Sequence, residues 1–217
     1  MDGIIFDVDG TIWNTTELVA LAWTNAIREN SDLDIVITQT DLENLFGKPM
    51  EEIYKIIFPN STAEEKSHLA RVCMEYEYAF LEREQGKVYD GIIEVIHTLA
   101  KEYPLYIVSN CEKGYIELLL HTIELEDYFM DFLCYGDTLK SKYYTISELM
   151  KKNNLKDVIY IGDTEGDMVA CKKLDIPFIY ATYGFGNLED VKWKVHQPKE
   201  IVEVVDAVIR ERLSFGN

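Results

Sequence analysis

Two short stretches place carboxylates at fixed spacing after apolar runs. Asp7-Val8-Asp9-Gly10-Thr11 ends the run Gly3–Val8, and Gly162-Asp163-Thr164-Glu165-Gly166-Asp167 ends the run Val158–Gly162. If each run is a β-strand, alternate side chains share a face, so Asp7 and Asp9 point the same way. Gly10 then lets the chain turn sharply. Carboxyl ends of parallel strands are where open α/β sheets bind ligands. Like charges crowded at such an edge repel unless a cation neutralises them. Oxygen donors with neither His nor Cys nearby favour a hard ion such as magnesium. One Asp-Gly turn after a strand is ordinary structure. Two acidic turns, each closing an apolar run, point to a site.

A third run, Leu105–Ser109, ends in Ser109-Asn110. A hydroxyl and an amide there can hold a phosphate oxygen, although both residues also begin turns and cap helices. Lys140 and Lys142 precede a helical pattern, and a lysine facing clustered acids would balance an anionic substrate. A solvated lysine at a helix start is the plainer alternative for each.

The elements that must position these residues follow from period and punctuation. Gly3–Val8, Leu105–Ser109, Val158–Gly162 and Pro177–Ala181 are continuous apolar runs, and Phe132–Tyr135 is a weaker fifth. Runs of this kind suit central parallel strands covered on both faces. Helical patterns lie between them at Ile92–Glu102, Lys113–Thr122, Tyr143–Asn153, Asp167–Leu174 and Glu200–Leu213. The alternation predicts a doubly wound, Rossmann-like α/β parallel sheet.

From Thr15 to Gly86 only Ile35–Thr38 has a β-branched run. The rest is helical in spacing: Leu18–Glu29, Gln39–Phe46, Glu51–Phe58 and Thr62–Glu84. Ser61 and Glu64 have the spacing of a capping box. The insertion is too long for a crossover and reads as a separate all-helical cap domain. The expected division is residues 1–14 with 87–217 for the core, and 15–86 for the cap.

The 217 residues carry 39 acidic and 21 basic side chains, a formal net charge of −18. This argues against nucleic acid and against an anionic membrane surface, both of which are held by surplus Lys and Arg. The four cysteines form no CxxC pair; buried thiols in a reducing cytosol are expected. No stretch reaches the roughly 20 apolar residues of a membrane span. A cytoplasmic monomer or small homo-oligomer is the expectation.

Taken together, these motifs resemble the haloacid dehalogenase superfamily of aspartate-nucleophile phosphatases, in the branch with a helical cap, similar to phosphoglycolate phosphatases. Asp7–Thr11 matches the family's DxDGT motif, Ser109 its second, and Gly162–Asp167 the GDxxxD form of its fourth. The third motif departs from the family: many members carry Lys-Pro, where this chain reads Leu139-Lys140-Ser141-Lys142-Tyr143. Lys140 fits the position of Lys-Pro. Lys142, with Ile146 four residues later, fits the form found in other members and is preferred.

The resemblance implies roles. Asp7 would be the nucleophile, forming an aspartyl-phosphate. Asp9 would protonate the leaving alkoxide and then take a proton from water. Magnesium would be held by the Asp7 carboxylate, the Asp9 carbonyl and Asp163, with Asp167 nearby or behind. Ser109, Asn110, Thr11 and Lys142 would hold the phosphoryl group. Lys48, in Phe46-Gly47-Lys48-Pro49 of the cap, would meet a substrate carboxylate or second phosphate; a solvated turn lysine is the alternative. Asp9 argues for phosphate-ester rather than carbon–halogen chemistry. The partner is then a small phosphorylated metabolite. Other readings are a phosphomutase of the β-phosphoglucomutase type, pyrophosphate hydrolysis, a phospho-aspartate signalling domain and an idle binding protein. Tyr183-Gly184-Phe185-Gly186 reads as a turn.

Overall fold

The computed structural model describes residues 1–215. In chain order the elements are β1 (Gly3–Phe6), β2 (Trp13–Asn14), α1 (Thr16–Asn30), α2 (Gln39–Glu43), α3 (Met50–Ile57), α4 (Ala63–Leu81) and β3 (Lys87–Val88). Then come α5 (Ile92–Leu99), β4 (Leu105–Ser109), α6 (Tyr115–Thr122), β5 (Phe129–Cys134), α7 (Tyr135–Thr138) and α8 (Lys142–Lys152). The chain ends with β6 (Val158–Gly162), α9 (Glu165–Leu174), β7 (Phe178–Ala181), β8 (Trp193–Val195) and α10 (Ile201–Phe215). They form two compact units: Met1–Trp13 with the chain from Val88 onward, and Asn14–Lys87.

The first unit holds a six-stranded sheet in the order β5-β4-β1-β6-β7-β8. Every neighbouring pair is parallel. All residues of β1, β4, β6 and β7 are buried, as continuous apolar runs covered on both faces require. β1 lies between β4 and β6, and register pairs Phe6 with Ile107 on one side and Ile161 on the other. The chain moves outward from β1 to β4 and β5, then crosses to β6 on the far side. That reversal is the topological switch point at which such sheets open a crevice. Tyr106, Val108, Ile146, Leu149, Tyr160, Ala170 and Phe178 belong to one buried cluster that packs α8 and α9 on the sheet. Packing of Ile146 and Leu149 fixes where α8 begins.

β8 was not expected. Trp193-Lys194-Val195 has no continuous apolar run because it is an edge strand with only Val195 buried. β5 begins three residues before the expected Phe132, and β1 stops at Phe6, short of Asp7.

The second unit is helical. Trp23 is fully buried; its Nε1–H donates to Glu77 Oε2 at 2.8 Å. The Ile35–Thr38 run is not a strand: Ile37 N–H donates to the Thr24 hydroxyl of α1 at 2.9 Å, which satisfies the backbone without a strand partner. The capping box lies one residue later than expected. Thr62, in extended backbone, accepts from Glu65 N–H, and the Glu65 carboxylate accepts from Thr62 N–H at 2.7 Å. A second capping box joins Thr38 and Asp41. All four cysteines are buried free thiols. Among the described residues no helix is long and apolar enough to cross a membrane.

Candidate active site

The site is assembled at the carboxyl ends of β1, β4 and β6. Asp7 N–H donates to Ile161 O at 2.8 Å, one step beyond the β1–β6 ladder, so Asp7 and Asp163 leave adjacent strands side by side. Oxygens of Asp7, Asp163 and Asp167 lie within 4.8 Å of one another, and all three residues are buried. Lys142, the first residue of α8, brings its ammonium 2.9 Å from Asp7 Oδ1 and 2.5 Å from Asp167 Oδ1. It is 5% exposed. Lys140 is exposed, its N–H on the Thr138 hydroxyl. The structure therefore brings Lys142 to the acids.

Each acid is held differently. Asp163 Oδ2 accepts from Phe185 N–H at 2.7 Å, and the Thr11 hydroxyl lies 3.5 Å from its Oδ1. Asp167 Oδ2 accepts from Thr164 N–H at 2.9 Å and Thr164 Oγ1 at 2.7 Å, which caps α9. Its Oδ1 takes Lys142 and, at 3.3 Å, the Tyr160 hydroxyl. Asp167 is thus saturated with donors. Asp7 has fewer: the Lys142 ammonium, which it shares with Asp167, stands 2.9 Å from its Oδ1.

Three buried carboxylates face one ammonium, and the protonation energetics record the shortage of positive charge. Burial, then Asp167, push the Asp7 carboxyl up to about 7, against the pull of Lys142. Burial, then Asp7 and Asp167, hold Asp163 well above its ordinary value. For Asp167 burial is outweighed by Lys142 and Thr164, and its carboxyl is lowered. Burial opposes charge on Lys142, but Asp167 and Asp7 hold its ammonium above its ordinary value. An all-oxygen donor set of three buried carboxylates against one ammonium fits a hard divalent cation.

Glycines permit this density. Gly10 has φ +82, and a Cβ there would lie 2.1 Å from Asp163 Oδ2. A Cβ on Gly184 would lie 2.4 Å from Asp163 Cβ and Oδ2. The Tyr183–Gly186 segment is therefore more than the expected turn: it wraps Asp163 and supplies its backbone donor. The two glycines in it were the available signal.

The Asp9 carboxylate is not one of the three clustered acids. Because β1 ends at Phe6, strand alternation does not set its direction as expected. Its Oδ1 accepts from Tyr115 Oη at 2.8 Å. Tyr115 carried no sequence signal beyond a core position on a helix. Ser109 ends β4 and is buried at 3% exposure, and Asn110 is buried beside it. Lys48 is exposed in the turn between α2 and α3 of the second unit; the acid cluster and Lys142 belong to the first.

A family model described as haloacid dehalogenase-like hydrolase matches residues 4–181. Among curated proteins, a phosphoglycolate phosphatase of Colwellia psychrerythraea is 24% identical over 87% of this chain and 87% of its own. A second, from Xanthomonas campestris pv. campestris, is 24% identical over 92% of this chain and 94% of its own. Among solved structures, a haloacid dehalogenase-like family hydrolase from Streptococcus pneumoniae has a TM-score of 0.79 at 20% identity, covering 94% of this chain and 97% of that one.

Proposed function

Because the chain belongs to the haloacid dehalogenase-like hydrolase family, we propose that it is a phosphatase of small phosphomonoesters, phosphoglycolate-like in substrate class, that works through an aspartyl-phosphate on Asp7. One observation carries this reading. Asp7 is a buried carboxylate just past the end of β1, clustered with Asp163 and Asp167, with the Lys142 ammonium 2.9 Å away. A carboxylate so placed keeps a lone pair for attack while its charge is compensated.

Asp7 attacks phosphorus and the bond to the leaving oxygen breaks. Asp9 protonates that oxygen, then accepts a proton from the water that cleaves the intermediate. Such proton transfer contributes about 10²–10⁴-fold. Lys142, Ser109 and Asn110 hold the phosphoryl oxygens, whose spread negative charge makes positioning and electrostatics dominant. Thr11 steadies Asp163 as well as flanking the phosphoryl group. Asp7, Asp163 and the Asp9 carbonyl would hold magnesium, with Asp167 anchoring Lys142 behind them. The ion, when bound, supplies positive charge against the phosphoryl oxygens. Choice among substrates is proposed to reside in the second unit, with Lys48 as the residue for a substrate carboxylate or second phosphate.

Phosphate release from phosphoglycolate, sugar phosphates, nucleoside monophosphates and pyrophosphate, with magnesium and with excess chelator, tests the reading. Metal-dependent release from a monoester is expected. No release from any of them, or release that ignores the chelator, would contradict it.

A further inference from the structure

We infer that Tyr115 is a positioning residue for Asp9, holding its carboxylate so that one defined oxygen exchanges the catalytic proton. The inference rests on the phosphatase reading above and deepens it.

Tyr115 opens α6 directly after Gly114, whose φ of +95 turns the chain into the helix. The side chain is 2% exposed, yet its hydroxyl reaches Asp9 Oδ1 at 2.8 Å. Its ring meets the indole of Trp13 edge-on, with centroids 5.6 Å apart at 67°. Trp13 is fully buried and is tied back to the same turn. It forms a bridge with Asp9, and its carbonyl accepts from Gly10 N–H at 3.0 Å. Asp9, Trp13 and Tyr115 thus close a circuit of backbone bridge, ring contact and hydrogen bond. The phenol cannot swing from Asp9 without giving up a buried aromatic contact.

The choice of oxygen follows from the chemistry of the pair. A phenol O–H can donate both to an ionised carboxylate and, less strongly, to the carbonyl oxygen of a protonated one. The contact at Oδ1 therefore survives both protonation states, and the proton is carried on Oδ2. In the first step the Asp7–phosphorus bond forms, the bond from phosphorus to the leaving oxygen breaks, and the proton on Asp9 Oδ2 passes to that oxygen. In the second, water bonds to phosphorus, its proton returns to Oδ2, and the Asp7–phosphorus bond breaks to release orthophosphate. Tyr115 stays a donor throughout and exchanges nothing.

Tyr115→Phe removes one oxygen and keeps the ring on Trp13. The readout is decay of the phospho-enzyme formed from p-nitrophenyl phosphate, in the Asp9 protein and in Asp9→Asn. Tyr115→Phe should slow decay about 10-fold when Asp9 is present, a fraction of what general acid–base catalysis supplies, with KM changed less than about 2-fold. In Asp9→Asn it should slow decay no further, because Tyr115 acts through Asp9. Equal slowing in both backgrounds, or unchanged decay with Asp9 present, overturns the inference while leaving the phosphatase reading intact. A wild-type protein that takes no phosphoryl group on Asp7 overturns that reading and this inference with it.

Discussion

The Lys142 ammonium stands 2.9 Å from Oδ1 of Asp7, and both side chains are buried. Neither can be removed without stranding the other. Lys142→Met leaves Asp7 and Asp167 as uncompensated buried charge, which should cost about 3–5 kcal/mol in urea unfolding of the metal-free protein. Lys140→Met alters an exposed side chain and should stay within about 0.5 kcal/mol of wild type. A larger loss at Lys140 than at Lys142 would move the active-site lysine by two residues.

Asp163 occupies the space where a side chain on Gly184 would be. Gly184→Ala puts a Cβ 2.4 Å from it, an overpacking that should cost about 1–3 kcal/mol. It should also erase the rise in Tm on adding magnesium. Gly91→Ala is the control. Its φ is +86 but nothing lies within 4 Å, so only backbone strain of about 1–2 kcal/mol is expected. Thermal melts with and without magnesium separate the two.

The same acids set a pH dependence. Asp7 and Asp163 have folded-state pKa values raised above their unfolded ones, Asp7 to about 7. Between the unfolded and folded values the folded chain binds more protons, so stability falls as pH rises through that window. For Asp7 the window runs from about 4 to 7, since an unperturbed Asp titrates near 3.9. Asp167, being lowered, acts in the opposite sense and only below its ordinary value of about 3.9, outside this window. A divalent cation should replace the missing protons. The magnesium-induced shift in Tm should therefore be larger at pH 8 than at pH 5; a larger shift at pH 5 would be inconsistent with this charge balance.

The start of α4 gives a test away from the site. Thr62→Ala removes the cap and should cost about 1 kcal/mol. Ser61→Ala, one residue earlier, should be nearly neutral. Equilibrium unfolding of both variants decides between the two registers.

That register shows where the sequence is readable and where it is not. Ser61/Glu64 and Thr62/Glu65 have identical spacing, and only backbone geometry distinguishes them. β1, β4, β6 and β7 are legible because strands buried on both faces must be apolar throughout. β8, an edge strand with Lys192 before it and Lys194 within it, is under no such demand. The acids after β1 and β6 are legible because both motifs are local in sequence. The partners of those acids are not. Tyr115 reaches Asp9 across 106 positions, and Phe185 reaches Asp163 across 22. Nothing local marks Tyr115, and only the glycines on either side of Phe185 mark its segment. Lys142 was separable from Lys140 only as a preference, because which of the two faces inward depends on where packing of Ile146 and Leu149 starts the helix.

The most direct test is whether Asp7 carries the phosphoryl group. Acid-quenched protein, mixed with magnesium and p-nitrophenyl phosphate, would be examined by intact-mass spectrometry in wild type, Asp7→Asn and Asp9→Asn. Asp9→Asn should accumulate one phosphoryl group, because Asp7 can still attack an ester with a good leaving group while water activation is lost. Peptide mapping should place the group on Asp7, and Asp7→Asn should never acquire it. A phosphoryl adduct on Asp7→Asn, or turnover by Asp7→Asn at the wild-type rate, would contradict Asp7 as the nucleophile.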